Sequence, residues 1–167
     1  MRRFAIPVVA AVLASSGIAL ASVGSSRSGG GAKSRVQVVK VFSTDSQFGR
    51  IDIGDPGFSL GDESAFSGPL LTAKGGANVG GSGGTCSVVR VDNAATASGL
   101  LQCPVTFSLN GGQIATQGLV KLVNGQAGGT QVAAITGGTG RYRSARGEAA
   151  VTFLNATDAN ITLTIVR

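Results

Sequence analysis

Few residues in this chain are suited to chemistry. It has no histidine, so no Ser-His-Asp or Cys-His nucleophile can be assembled. The two cysteines, Cys86 and Cys103, lack C-x-x-C spacing. Without histidine they make a poor ligand set, so no metal and no cofactor is expected. What remains is charge beside glycine. Asp62 follows Gly61, and Arg90 lies on the Cys86 segment. Tyr142, Arg146 and Glu148 fall within AAITGGTGRYRSARGE, Ala133 to Glu148.

An apolar run that ends in a glycine turn can open a nucleotide site, but this one fails each test. A dinucleotide fold needs a helix after the turn and repeated parallel strands. Here Arg141 to Gly147 is too short and interrupted for a helix, and the chain ends at Arg167. The third position of a G-x-G-x-x-G frame begun at Gly138 is Arg143, and no Gly-Lys-Ser/Thr occurs. The stretch therefore reads as a tight turn followed by a short connection into another strand.

Each charged residue has a functional and an ordinary role. Asp62 is placed to hold a ligand or pair with Arg146, or to satisfy local N–H groups in a turn. Arg146 and Glu148 are two apart on one strand and share a face. Inside a lumen each would need a partner; at a rim they form a solvated pair worth little. Arg90 is a further lumen candidate, and Tyr142 is placed to cap one end. Arg141 and Arg143 offer an anion site or a solvated loop.

The elements that must position these residues are strands. Val36–Phe42, Ser64–Leu71, Thr85–Val91, Ser98–Leu109, Gln113–Val123, Gln131–Thr136, Glu148–Leu154 and Ile161–Val166 are β-branched or apolar runs between turn residues. Asp45 to Gly61 reads as a long turn-rich segment, Gly75 to Gly84 as a glycine loop and Gln126 to Gly129 as a turn. Asn110-Gly111-Gly112 signals a hairpin. About eight short strands without a crossover helix predict an all-β antiparallel barrel or sandwich. In Gln113–Val123 one face carries Ile114, Thr116, Gly118, Val120 and Leu122. In Glu148–Leu154, Ala149, Val151 and Phe153 oppose Glu148, Ala150, Thr152 and Leu154. Apolar residues on both faces point to an outer wall packed on another subunit, or to ordinary surface scatter.

The first residues are a separate matter. Met1-Arg2-Arg3, an apolar Phe4–Ala14 and the small residues of Ala19-Leu20-Ala21 predict a signal peptide over 1–21, cleaved after Ala21. A membrane anchor is the alternative, although the apolar run is short for a span. Residues 22–34 read as a flexible Ser/Gly-rich tail and 35–167 as a single barrel domain. Export would make the protein secreted or envelope-located, without a membrane span once the signal is cleaved. It would also favour a disulfide between Cys86 and Cys103 over two free thiols. Losing Arg2 and Arg3 lowers the net charge of +6 by two. No basic stripe interleaved with aromatics remains, so no nucleic-acid partner is expected.

Three segments carry a resemblance. GFSLGDESAFSGPL (Gly57 to Leu70), GQIATQGLV (Gly112 to Val120) and AITGGTGRYRSARGE (Ala134 to Glu148) resemble, in order, elements of allene oxide cyclase and dirigent proteins. The resemblance implies an eight-stranded antiparallel β-barrel with a lumen, assembled as a homotrimer. It implies a carboxylate near the end of the first strand, where this chain has Ser43, with Asp45 the nearest acid. It also places Arg146 in the matching ARG. Arg141 stands where dirigent proteins can have an acid. The function it implies is a secreted barrel that binds or conformationally steers a small apolar or phenolic molecule, without strong acid–base catalysis. An isomerase or cyclase acting by preorganisation, and a structural envelope barrel with a filled lumen, stay open beside it.

Overall fold

The computed structural model describes residues 35–167. The signal peptide and tail expected over 1–21 and 22–34 lie outside the described residues. The strands are β1 (Val36–Thr44), β2 (Gln47–Ile51), β3 (Glu63–Leu71), β4 (Asn78–Asn93), β5 (Ser98–Leu109), β6 (Gly112–Val123), β7 (Gln126–Ala127), β8 (Thr130–Gly138), β9 (Arg146–Phe153) and β10 (Asp158–Val166). A single 3-10 turn, Gly140–Tyr142, lies between β8 and β9.

The sheet runs β1-β10-β9-β8-β6-β5-β4-β3 and returns from β3 to β1 through Phe42↔Leu71 and Ser43↔Leu70. This is a closed, antiparallel eight-stranded barrel, as expected. Closure removes the exposed edges that an open sheet would present. β2 continues β1 along β3, with Gln47 opposite Ser67 and Ile51 opposite Glu63.

Two segments expected to be loops are strands. β2 falls inside the turn-rich Asp45–Gly61, and Asn78–Gly84 opens β4 where a glycine loop was expected. Glycine is a poor strand former in general, but here close approach demands it. A Cβ on Gly80 would collide with the Ser108 carbonyl oxygen of β5. Two residues of the expected turn at Gln126–Gly129 likewise pair with β6, as Leu122↔Ala127 and Val123↔Gln126.

The lumen has two halves of different character. An eight-stranded barrel is just wide enough for side chains to fill, or to hold one small ligand. At one end large aliphatic side chains fill it: Leu70, Ile114, Ile135, Leu163 and Ile165 are buried in one cluster with Tyr142 and Ala145. Toward the other end the inward positions hold small residues, among them Ser43, Ser64, Ser82, Gly118, Ala133 and Ala159. These small residues leave space between the larger side chains of that half.

The glycine-rich signature builds the closed end. The connection from Thr139 folds across the barrel so that Tyr142 is buried, 4 % exposed, against the core. The guanidinium groups of Arg141 and Arg167 stand 5.9 Å and 5.8 Å from its ring centroid. Arg167 donates a 2.7 Å hydrogen bond to the Arg141 carbonyl. Gly147 then re-enters the wall at φ +124°, where a Cβ would strike the Thr164 carbonyl oxygen of β10. The cap expected of Tyr142 is thus a hydrophobic plug. The turn expected over Gly137–Gly140 begins as the last two residues of β8 and continues into the 3-10 turn.

Candidate functional site

The open half encloses a cavity of about 340 Å³, within the range of small-molecule sites. Five of the chain's seven phenylalanines line it: Phe48, Phe58, Phe66, Phe107 and Phe153. They come from β2, the β2–β3 loop, β3, β5 and β9, so rings surround the space. Cross-strand register explains why. Phe48 lies opposite Phe66, and the Val105↔Thr116 pair sets the inward face of β5 and β6. A polar strip occupies one side, where the Ser43 and Ser82 hydroxyls approach to 3.4 Å. The lumen is therefore not filled throughout, and the solid structural barrel entertained above does not describe it.

The disulfide expected between Cys86 and Cys103 is present, with Cα atoms 4.2 Å apart, and it forms part of the cavity wall. It sits where the β4–β5 ladder lapses between Gly84↔Val105 and Ser87↔Gln102. Pro104, in that gap, has no N–H to donate. The covalent link spans the interval that hydrogen bonds leave open. Among the described residues no cluster of metal-ligating side chains occurs, and no helix is long and apolar enough to cross a membrane.

Of the sequence-derived candidates, Asp45 and Asp62 reach the cavity. Asp45 sits in the break between β1 and β2, partly buried in the cavity wall. Burial, reinforced by the neighbouring charge of Asp158, pushes its carboxyl above the ordinary range. Its side chain has no hydrogen-bond or ion-pair partner among the described residues. Asp62 is 5 % exposed and accepts from the Ile53 N–H at 2.9 Å, the Ser59 N–H at 2.8 Å and the Ser59 hydroxyl at 3.1 Å. These bonds cinch the β2–β3 loop that carries Phe58 into the cavity. Turn chemistry thus occupies Asp62, and it pairs with no arginine at contact distance.

The other candidates lie elsewhere. Arg146 and Glu148 are exposed on the outer face of β9, because Gly147, Ala149 and Val151 take the inward positions. They do not pair with each other; Arg146 donates to the Ala145 carbonyl at 2.7 Å. Alternation along β4 would carry Arg90 inward after Cys86 and Val88. A bulge between Val88 and Arg90 shifts the register, and Arg90 instead forms an exposed ion pair with Asp92 at 2.8 Å. Tyr142 is sealed in the closed end. Sequence reasoning passed over Arg50, Glu63 and Asp158, which also line the cavity, and it passed over the phenylalanines. Lys74, at 3.0 Å, and the Thr44 hydroxyl, at 2.8 Å, hold the Asp158 carboxyl below the ordinary range.

The Asp62 geometry predicts an acid-labile mouth. The Ser59 and Ile53 N–H groups lower the Asp62 carboxyl from its ordinary 3.8. A carboxyl depressed in the folded state contributes stability above its unfolded value, and that stability is lost as pH falls through the folded value. Asp158 acts in the same direction. Urea midpoints should hold near neutrality and drop as pH is taken below 3.8. Asp62→Asn should start lower and fall less steeply; an unchanged slope would remove Asp62 from this role.

Comparison with known proteins decides the family. Residues 36–165 match the allene oxide cyclase barrel-like domain. The chain belongs to that family. Among solved structures, this allene oxide cyclase-like barrel is similar to a pyocyanin demethylase at 27% identity and a TM-score of 0.66, over 78% of this chain and 100% of the other. It is similar in fold to a pterocarpan synthase dirigent protein (19% identity, TM-score 0.62, 87% and 94% covered). The Diels-Alderase of Streptomyces koyangensis shares the fold as well (13% identity, TM-score 0.58, 82% and 70% covered). No curated protein sequence matches the chain significantly.

Proposed function

We propose that this chain is an exported barrel that binds a small apolar or phenolic molecule in the open half of its lumen and holds it in one orientation. The observation that carries this reading is the concentration of phenylalanine on the cavity wall. Faces and edges of rings on several sides favour a flat aromatic guest, which stacks or docks edge-on. The polar strip at Ser43 and Ser82 would orient a hydroxyl. The disulfide supports export, since such bonds persist in oxidising compartments. The names of the similar structures, a pyocyanin demethylase, a pterocarpan synthase dirigent protein and a Diels-Alderase, support work on small molecules.

Steering needs little acid–base help, because confinement to one reactive geometry by itself lowers a barrier. An isomerase or cyclase version would draw on Asp45, the carboxyl in the wall with no partner among the described residues. Exposed Val36 and Val38 on the outer face of β1 support assembly of barrels, proposed as a homotrimer. The reading is checked by titration with the neutral fluorophore N-phenyl-1-naphthylamine. Fluorescence should rise and saturate at one probe per chain. A linear rise without saturation, or no rise, would count against the reading.

A further inference from the structure

Charge is not spread evenly over this barrel. The chain is basic overall, with 14 Lys and Arg against 8 Asp and Glu. Yet Asp45, Asp62, Glu63 and Asp158, half of all its acidic residues, line the cavity. Arg50 is the one cavity-lining cation among the described residues. The opposite end gathers arginines: Arg141 and Arg167 flank the Tyr142 plug, and Arg35 is bonded through its backbone to Arg167. A cleft lined by one sign of charge, with low-dielectric walls, concentrates ions of the other sign at its mouth.

Inside the mouth the acids are not equivalent. Asp62 is used by the Ile53 and Ser59 groups, and Asp158 by Lys74, Thr44 and Asn155. Glu63 accepts from the Ser87 hydroxyl at 3.2 Å. Asp45 alone of the four has no side-chain partner among the described residues. The charge acting on it is that of Asp158 from β10, which Lys74 pairs, whereas Arg50 from β2 acts on Asp62. The same cavity is lined by aromatic rings, whose faces attract cations.

We infer that the open half of the barrel selects aromatic cations, with the ring held among the phenylalanines and the positive charge set against Asp45. This rests on the cavity being a binding site, and it narrows the guest from apolar or phenolic molecules to flat molecules carrying a quaternary or protonated ring nitrogen. A carboxylate partly withdrawn from water and without a protein partner gains most from a guest that brings its own charge. Anionic guests meet repulsion at the same place.

The test uses two probes of nearly equal shape, neutral acridine and the permanent cation N-methylacridinium, titrated into the purified protein and into Asp45→Asn. The wild type should bind the cation about 10-fold more tightly, the scale of one partly desolvated cation–carboxylate and cation–π contact. Asp45→Asn should lose the preference and bind the two probes with equal affinity. Equal affinities in the wild type, or a preference that survives in Asp45→Asn, would overturn the assignment while leaving the cavity as a binding site. Failure of both probes to bind would overturn the binding reading and the assignment together.

Discussion

Replacing Cys86 and Cys103 together by alanine lowers the stability of the barrel by about 3 kcal/mol, the loop-closure term for a crosslink of sequence separation 17. For a domain of this size that is a fall in Tm of roughly 10 °C. The expectation is large because the disulfide has no deputy. It crosses β4 and β5 at the interval where ladder pairing lapses beside Pro104. Without it, Gly81, Gly83 and Gly84 leave that part of β4 with little side-chain packing to hold register. Circular dichroism melts of the double variant, and of the wild type under dithiothreitol, should agree with each other. A change in Tm of a degree or two would show that the rest of the wall keeps register unaided.

Filling the open half abolishes binding without unfolding the protein. Ser82 and Ala133 face the cavity from β4 and β8. Phenylalanine at both positions puts two rings into a space of about 340 Å³. Affinity for N-phenyl-1-naphthylamine should fall on the order of 100-fold or more, equivalent to about 3 kcal/mol. The cost in stability should stay within about 1–3 kcal/mol, because the new side chains enter a void rather than a packed region. Thr106→Phe, on the outer face of β5, adds a ring where none can block the lumen and should leave affinity unchanged. Equal loss in both variants would point to a nonspecific effect of added rings.

Much of the barrel could be read from residue order. Alternation in Gln113–Val123 put Ile114, Thr116, Gly118, Val120 and Leu122 on one face, and they are the inward residues. The same holds for Ala149, Val151 and Phe153 in β9. That alternation set Glu148 on the face opposite Ala149, Val151 and Phe153 and left lumen or rim open for it and Arg146; the structure puts both outside. The family signature drew Arg146 toward the lumen, and the structure turns it outward. Asp62 showed its turn role because an Asp after Gly at a strand entrance has N–H groups within reach.

The misses share a cause: pairing across the barrel outweighed local preference. β2, with Gly49 at its centre, and the glycine-rich start of β4 are weak strand sequences held by partners far along the chain. Arg90 was turned outward by a bulge that no local pattern announces. The aromatic wall was hidden for the same reason. Phe48, Phe58, Phe66, Phe107 and Phe153 are scattered through the chain, and only the register of closure brings them around one space. The glycine motif was the clearest signal, and its work is to carry Tyr142 over the closed end, away from the site.

The claim that the open half of the lumen is the binding site is tested most directly by methyl chemical shifts. Ring currents from an aromatic guest move only nearby methyl signals. On addition of acridine to protein labelled at Val and Leu methyls, Leu101, Val105, Val120 and Val151, all on the cavity wall, should shift and saturate together. Val36 and Val38, exposed on the outer face of β1, should stay in place. Shifts confined to the outer valines, with the cavity methyls unmoved, would contradict the account.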